Sequence, residues 1–475
     1  MSELDDDAPA ATPGTGLAHE FARRIQALAL ADLTPEVLHW ARVGLLDTLG
    51  VTLAGSREPA VRHAAAALDL HGGPALWLGR RQRVGALDAA LLNGTASHAL
   101  DFDDCNNTMG GHPSAPVLSA LLPLADELGS PGEAFVLAYV AGFEMECKLA
   151  LAVNFHHYTK GWHPTATLGV FGAAAACAKL MALEAPQTAT ALALAASFAS
   201  GIKANFGTMT KPLHVGHAAR QGLLAARLAR AGLTANAERV FEHEQGFLDV
   251  FNGPGTYDTV RALAAWGRPL DIVAPGLAIK QYPCCGSTHP AIDAMLELVR
   301  AHGLRAADIV GIEAWVHRRR LQHTNRPDPR SALDAKFSLQ YVLARAAVDG
   351  CVAVAHFEGQ AHADPRVRAL LPRVQVAPYD ETRFDPANHF GGAVRVRLTD
   401  GRVLEAQVEQ ALGRTSAHPL PTPLLQAKFR LCAQTVLGAG AIDDIAAQVE
   451  RITDLSDLRS LTGRLLEATL DTPTP

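Results

Sequence analysis

Alanine and leucine recur at helical spacing along the first half of the chain, from about Leu17 to Ala264, with glycine, proline and asparagine at the interruptions. Apolar positions three and four residues apart lie on one face of a helix, so this pattern predicts a domain built of helices. The stretch from Phe171 to Ala182 is apolar nearly all round and is expected in the middle of a helical bundle.

The pattern changes to strand-like runs after about Arg268. Runs rich in β-branched and other apolar residues predict strands at Ile309–Val316 and Val394–Leu398. The sequence Thr399-Asp400-Gly401-Arg402 predicts a hairpin turn that leads into a strand at Val403–Val408. A helix is predicted to begin at Pro290, so this region is expected to form a smaller α+β domain.

Helical spacing returns after Pro421, at Leu424–Leu437 and Ile442–Leu466, and these helices are expected to pack back on the first domain. The predicted fold class is therefore mainly α, with a large all-helical domain built from both chain ends plus a smaller α+β domain. The predicted divisions are, in order, a disordered tail over 1–16, the helical domain over 17–267, the α+β domain over 268–408 and the C-terminal helices over 409–475.

The composition is that of an ordinary globular protein and excludes several classes of partner. The 475 residues are 48% hydrophobic and 19% charged, with a formal net charge of −6, so no global attraction to nucleic acid or to an anionic membrane is expected. The longest uncharged apolar run, Ala185 to Ile202, contains proline, glutamine and threonine, which favours a buried helix over a membrane span. The acidic start Met1-Ser2-Glu3-Leu4-Asp5 lacks the basic and apolar regions of a signal peptide, so none is expected and a cytoplasmic location is predicted.

The seven cysteines form no C-x-x-C pair, which argues against a zinc ribbon or an iron–sulfur site. Cys284 and Cys285 are adjacent and would be poor disulfide partners for each other, so reduced thiols are expected. The sequence therefore predicts neither structural disulfides nor a metal site.

Four junctions bring a basic side chain to a proline that precedes an alanine-rich stretch. Because proline is favoured at the first helical position, each junction is predicted to mark a helix N-terminus, where free N–H groups attract carboxylates and keep a nearby imidazole neutral. The four junctions are Gly111-His112-Pro113-Ser114, Trp162-His163-Pro164-Thr165, Lys211-Pro212-Leu213-His214 and Thr288-His289-Pro290-Ala291. This pattern favours a site for a carboxylate substrate.

The densest polar stretch runs from Ser97 to Pro113 and contains Asp101, Asp103 and Asp104. An isolated acidic run is often a solvated loop. Here the run follows an apolar helix and ends at a predicted helix N-terminus, so its carboxylates are expected close to a basic side chain, where acid–base chemistry is plausible.

The other junctions each have a structural alternative. Trp162 could plug the helical bundle while His163 caps a helix. Lys211 stands in an otherwise apolar segment at the start of a predicted helix and is the best candidate to anchor a carboxylate. Cys284 and Cys285 also raise nucleophilic catalysis, although no separate Cys-His-Asn arrangement supports it.

The arginine-rich segment from His317 to Arg326 has two interpretations. Arginine forks bind carboxylates in a bidentate manner, so this segment could close over an anionic substrate. A charged strand edge would explain the arginine triplet equally well.

Together these segments resemble the MmgE/PrpD family, which includes 2-methylcitrate dehydratase, cis-aconitate decarboxylase and iminodisuccinate epimerase. The resemblance extends from about residue 17 to 465. It rests on His98-Ala-Leu-Asp-Phe-Asp-Asp104 with His112-Pro113, Gly161-Trp-His-Pro-Thr165, Thr210-Lys-Pro-Leu-His214, Tyr282-Pro-Cys-Cys-Gly-Ser-Thr-His-Pro290 and Ala335-Lys-Phe-Ser-Leu-Gln-Tyr341.

The resemblance implies a helical domain with a smaller α+β lid, a homodimer, and a cofactor-free site between the domains. Family active-site positions carry over to matching residues here, namely Asp101, His112, His163, Lys211 and Lys280. Three neighbouring positions differ from the cis-aconitate decarboxylase pattern. Cys105 replaces a threonine, Cys285 a histidine and His323 a tyrosine, which argues against decarboxylation of cis-aconitate.

The expected chemistry is removal or delivery of a proton on the carbon next to a carboxylate of a small di- or tricarboxylate. His163 is the preferred base or acid, with His112 and Asp101 next, and Lys211 and Lys280 would hold carboxylates and stabilise enolate-like charge. The remaining expected substrate contacts are His214, Cys105, Cys285, His323 and Arg326. A 2-methylcitrate dehydratase-like lyase is favoured; the alternatives are an epimerase of a dicarboxylate and a catalytically silent carboxylate-binding protein.

Overall fold

Both ends of the chain contribute helices to one large helical domain. The computed structural model describes residues 14–385 and 387–470, so most of the predicted disordered tail lies outside the described residues. The helices of the N-terminal part are α1 Leu17–Ala27, α2 Pro35–Gly55, α3 Pro59–Ala66, α4 Ala86–Ala99, α5 Ser114–Leu128, α6 Gly132–Val153, α7 His156–Lys160, α8 Pro164–Thr167, α9 Gly169–Leu180, α10 Ala185–Phe198, α11 Thr210–Arg230 and α12 Thr259–Ala264. No described helix combines the length and apolarity needed to cross a bilayer.

The interior of this domain follows the predicted pattern, with one addition. Helix α9 is buried from Gly169 to Ala178, which confirms the expectation for the apolar stretch at its centre. The domain is not made of helices alone, because β1 (Gly72–Trp77) and β2 (Gln82–Val84) form an antiparallel hairpin beside α4 and α5. These strands are short, β1 begins with Gly-Gly-Pro and β2 contains Gln82 and Arg83, so they carry little hydrophobic alternation for a sequence pattern to reveal.

Helices α4 and α11 pack with their backbones in close approach. A Cβ atom on Gly94 would lie 2.7 Å from the Cα of Gly216, so both positions require glycine for the helices to come this near. The end of α4 leads into the acidic stretch and the beginning of α11 carries Lys211. This contact therefore sets the distance between two segments of the candidate site.

The smaller domain contains a four-stranded sheet with helices against it. Its elements are α13 His289–His302, β3 Ile309–Val316, α14 Arg318–Thr324, α15 Ala332–Ala335, α16 Leu339–Asp349, α17 Pro365–Leu370, β4 Val374–Pro378, β5 Gly392–Leu398 and β6 Val403–Val408. The strand order is β4-β3-β5-β6, with β4 parallel to β3 and the other pairs antiparallel. The three strands predicted from sequence are present, whereas the edge strand β4 was missed.

Each domain has its own hydrophobic core. The second core begins at Tyr282. Leu270, Ile272, Leu277 and Ile279 pack in the first core, although they follow the predicted boundary at residue 268. That boundary remains a prediction, and the packing favours a later one.

The C-terminal helices are α18 Thr422–Ala433, α19 Ala439–Glu450 and α20 Arg459–Ala468. The prediction of unbroken helix over Ile442–Leu466 is wrong, since a 3-10 turn at Ile452–Asp454 separates α19 from α20. On α18, the Lys428 ammonium lies 2.6 Å from Asp47 and donates to the Phe102 carbonyl at 2.8 Å. Helix α18 of the C-terminal part therefore contacts the acidic stretch directly. The predicted mainly α fold, built from both chain ends, is confirmed.

Candidate active site

Three segments distant in sequence meet where the two domains adjoin. The loop after α4 pairs with the strand-like segment that enters the smaller domain, because Cys105 and Ala278 exchange main-chain hydrogen bonds of 2.8 and 2.7 Å. The first turn of α11 brings Lys211 to the same place. The acidic residues are therefore not a solvated loop, since Asp101, Asp103 and Asp104 are all buried.

Asp101 is held by two lysines. Its Oδ1 lies 2.8 Å from Lys211 Nζ and 3.2 Å from Lys280 Nζ. Burial opposes ionisation, but the two ammonium groups hold the pKa of the Asp101 carboxyl well below its usual range. The backbone of Asp101 is left-handed with φ of 52°, and its Oδ2 has no hydrogen-bond partner among the described residues. One carboxylate oxygen thus stays open beside two cations.

A second carboxylate, Asp103, bridges two histidines. Its Oδ2 lies 2.8 Å from His98 Nδ1 and 3.1 Å from His112 Nδ1. Burial alone would lower the pKa of His112, but Asp103 and Cys105 raise it to about 10. Burial lowers the pKa of His98 to about 3, so the bridging pair consists of one neutral and one protonated ring. The expectation that a helix N-terminus keeps His112 neutral is therefore wrong, because the nearby carboxylate outweighs the helix end.

His163 is buried and neutral. Burial is the main cause that holds its pKa well below the ordinary value, and the charge of Lys211 adds to it. Its Nδ1 lies 3.3 Å from His214 Nδ1, and its Nε2 has no hydrogen-bond partner in the described part of the chain. The His98 ring stands between the two candidate histidines, 5.5 Å from the His163 ring and 4.5 Å from the His112 ring. The prediction of a neutral imidazole thus holds for His163, although burial is its main cause.

The four junctions do lie at helix N-termini, but one of these ends is already occupied. Helix α5 begins directly after Pro113, and its first N–H group, on Ser114, donates to Asp104 Oδ1 at 3.3 Å. The Ser114 hydroxyl also donates to this carboxylate. The chain's own Asp104 carboxyl group therefore fills the place predicted for a substrate carboxylate, and α8, with four residues, is too short to add much dipole.

The two thiols of the site differ from ordinary cysteines. Cys105 Sγ lies 3.7 Å from His112 Nδ1. Burial opposes ionisation of the Cys105 thiol, but the positive charge of the His112 ring lowers its pKa. Burial also opposes ionisation of Cys285, but its hydrogen bond to His323 lowers the pKa to about 6. His323 Nε2 lies 3.1 Å from the Ser287 hydroxyl. Both thiols and His323 therefore belong to one polar cluster that borders Asp101 and Lys280.

Arg326 lies at the edge of the site. Its guanidinium is 5.2 Å from the centre of the Phe337 ring, and Lys211 Nζ is 5.5 Å from the same ring. An ion pair of 2.5 Å with Asp334 already balances the charge of Arg326. It is therefore the least available of the predicted substrate contacts.

Several polar groups of the site were missed by the sequence analysis. Lys336 donates to the Leu100 carbonyl at 2.5 Å, and burial lowers its pKa to about 8. It stands in the Ala335-Lys-Phe motif, which was a usable signal. Arg414 also borders the site, but it stands alone in a loop and no pattern marks it.

One group of described residues has the geometry to hold a metal ion. Ligand atoms of His98, Asp101, Asp103 and His112 lie within 4.8 Å of one another. The two lysines against Asp101 and the proton on His112 already supply positive charge there. These four side chains therefore suit a network of ion pairs and hydrogen bonds better than the binding of a divalent cation.

Comparison with known proteins agrees with this arrangement. Residues 19–259 match the MmgE/PrpD N-terminal domain and residues 282–452 match the MmgE/PrpD C-terminal domain. The chain is 31% identical to cis-aconitate decarboxylase of Homo sapiens over 461 residues, covering 94% of each chain. It is 27% identical to cis-aconitate decarboxylase of Aspergillus terreus strain NIH 2624, covering 94% of this chain and 96% of the relative. It is 26% identical to 2-methylcitrate dehydratase of Cupriavidus necator, covering 82% of this chain and 84% of the relative. Because the two matched segments span most of the chain, it belongs to the MmgE/PrpD family.

Proposed function

We propose that this protein is a cofactor-independent lyase of the dehydratase type, which acts on a small di- or tricarboxylate by moving a proton on the carbon next to a carboxylate. The observation that carries the proposal is the pairing of a neutral, buried His163 whose Nε2 is open with a protonated His112 in the same cluster. Titratable groups driven in opposite directions by their surroundings are the usual mark of an acid–base pair.

His163 is the base in this proposal. The positive charges of Lys211 and His112 help to lower its pKa, and a bound substrate carboxylate would offset those charges. Substrate binding therefore raises the basicity of Nε2 at the moment when a proton has to be taken. His112 carries a proton at neutral pH and delivers it to the departing hydroxyl group.

Lys211 and Lys280 stabilise the intermediate. Both ammonium groups lie within 3.2 Å of Asp101 Oδ1, which leaves two positive charges against one negative charge in a buried site. A carboxylate of the substrate, and the enolate-like charge that develops on proton removal, would balance this excess. Asp101 sets the orientation of both lysines and is the third candidate for proton transfer.

Decarboxylation is the second candidate reaction. The alignments with the two cis-aconitate decarboxylases cover 94% of this chain at 27% and 31% identity. The alignment with the 2-methylcitrate dehydratase is shorter, covering 82% of the chain at 26% identity. Cys105, Cys285 and His323 depart from the decarboxylase pattern inside the cluster, and these departures support dehydration instead. Epimerisation uses the same acid and base, and a carboxylate-binding protein without activity needs only the cations.

The test is proton NMR of the purified protein with a panel of carboxylates in D2O. The panel contains 2-methylcitrate, citrate, cis-aconitate and iminodisuccinate, with a metal chelator present to check cofactor independence. Loss of water with a new vinyl signal supports the dehydratase, and loss of carbon dioxide supports the decarboxylase. Deuterium entry at an α-carbon without a new skeleton supports the epimerase. No change with any substrate contradicts the lyase proposal and favours binding alone.

A homodimer is also proposed, and light scattering of the same sample tests it.

A further inference from the structure

Two guanidinium groups, those of Arg320 and Arg414, lie against one aromatic ring without a carboxylate partner. Each lies 4.9 Å from the centre of the Phe390 ring. Arg320 donates to the Ser287 hydroxyl at 3.2 Å and to the main-chain carbonyl of His389 at 2.5 Å, and both of these acceptors are neutral. Within residues 14–385 and 387–470, no carboxylate forms an ion pair with either arginine, and the buried Nε of Arg414 has no hydrogen-bond partner. The Cys285 thiol lies near enough for its charge to act on both arginines, and that of Cys105 acts on Arg414.

The pair borders the cluster around Asp101. A Cβ atom on Gly286 would lie 3.3 Å from Arg414 Nη1 and 4.0 Å from Lys280 Cε, so the absence of a side chain at residue 286 leaves space between these two cations. Cys105, Lys280, Gly286 and Arg414 line the same small pocket. Arg320, on α14, donates to the hydroxyl of Ser287, which is the neighbour of Gly286 in the chain.

The loop that carries Arg414 is fixed in place. Gly413 has a φ of +79°, and a Cβ atom there would lie 2.3 Å from the Ile279 carbonyl oxygen. Only glycine allows this loop to lie so close to the segment before Lys280. The position of Arg414 is therefore built into the fold.

Two cations of like charge in a half-buried place repel each other, and the Cys285 thiolate offsets only part of that repulsion. Burial and the charge of Arg414 lower the pKa of Arg320 to about 9, and burial lowers the pKa of Arg414. A carboxylate bound beside them would relieve both charges, and guanidinium groups bind carboxylates through two parallel hydrogen bonds. The arrangement is thus preorganised for a carboxylate.

We infer that Arg320 and Arg414 form a second carboxylate subsite, separate from Lys211, which binds the carboxylate of the substrate farthest from the reacting carbon. The inference rests on the proposed function and narrows its substrate class. The lysines hold the carboxylate next to the carbon that loses its proton, and the arginines select molecules that carry at least one more carboxylate. A monocarboxylate would fill the lysine subsite only.

The test is calorimetric binding of three ligands that share one carbon chain and differ in the number of carboxylates. They are propane-1,2,3-tricarboxylate, glutarate and butyrate, which have three, two and one. None has a leaving hydroxyl group or a double bond, so binding is measured without turnover. The wild type is expected to bind them in this order of decreasing affinity.

The variants are Arg320→Gln and Arg414→Gln, which act from two different segments, with Arg318→Gln as the matched control. Arg318 lies on the same helix as Arg320 and is exposed. Each of the two test variants should bind the tricarboxylate and glutarate roughly tenfold to a hundredfold more weakly, because a charge-assisted hydrogen bond is lost. Binding of butyrate should change less than about twofold. The unfolding temperature of the ligand-free variants reports separately on folding.

The outcomes distinguish the subsite from the proposed function. If the variants lose affinity only for the ligands with several carboxylates, the subsite is supported. This holds even if the NMR test finds no turnover, because absence of turnover contradicts only the lyase proposal. If the substitutions change the affinity for all three ligands equally, or change none of them, the subsite is overturned. The lyase proposal is then judged by the NMR test alone. Failure of the folded wild type to bind any of the three overturns the subsite and also the proposed substrate class.

Discussion

Lys280 contacts Asp101 twice. Its ammonium group donates to the main-chain carbonyl of Asp101 at 2.6 Å and lies 3.2 Å from the Oδ1 atom of the same residue. The first contact helps to fix the left-handed backbone of Asp101, and the second balances the charge of its side chain. One lysine therefore ties the loop after α4 to the segment that enters the smaller domain, and it sets the orientation of the carboxylate at the centre of the site.

Replacement of His163 tests the base. We expect His163→Ala to lower kcat by roughly 10²- to 10⁴-fold, because general acid–base catalysis contributes about that much. His156→Ala is the matched control, since His156 is exposed on the neighbouring helix. Circular dichroism and the unfolding temperature should show a folded variant. Near-normal turnover in folded His163→Ala would remove this residue from the mechanism.

Replacement of Lys211 tests substrate binding. In Lys211→Ala we expect KM to rise by about tenfold or more, with a smaller change in kcat, because one of the two ammonium groups beside Asp101 is lost. Lys160→Ala removes an exposed lysine outside the cluster and should behave as the wild type. An unchanged KM in Lys211→Ala would contradict its role as the anchor.

The pH dependence of kcat/KM tests the acid. His112 has its pKa raised to about 10, so it is protonated at neutral pH and loses its proton as the pH rises through about 10. Loss of this proton should therefore produce an alkaline limb of the rate near pH 10. In His112→Asn the rate at neutral pH should be lower and this alkaline limb should disappear. If the limb persists unchanged in the variant, another group delivers the proton.

The reactivity of the thiols tests the electrostatics of the site without any assumption about substrate. With a pKa of about 6, Cys285 is largely a thiolate at pH 7, whereas burial and Asp349 raise the pKa of the exposed Cys351. We expect iodoacetamide at pH 7 to label Cys285 before Cys351, as measured by peptide mass spectrometry. His323→Phe should slow the labelling of Cys285, because the hydrogen bond that stabilises the thiolate is lost. Faster labelling of Cys351 in the wild type would contradict this assignment.

Short-range patterns in the sequence were sufficient for most of the secondary structure. The strands β3 and β6 begin and end at the predicted residues. The hydrophobic run of β3 is long, and the turn that leads from β5 into β6 has Gly401 at a positive φ. The hairpin of β1 and β2 and the edge strand β4 were missed because they are short and partly polar. The position of each proline beside a histidine or lysine likewise predicted where four helices begin.

The sequence by itself determined most of the helices and strands, and its motifs marked Asp101, His112, His163, Lys211 and Lys280 as candidate residues of the site. Only the tertiary structure decided their charge. Lys211 and Lys280 reach Asp101 across 110 and 179 residues, and Asp103 lies against His112, whereas no described carboxylate forms an ion pair with His163. Protonation depends on burial and on charges a few ångströms away, and these distances are set by packing. For the same reason no local pattern marks Arg414, which the close approach of Gly413 to Ile279 brings to the site.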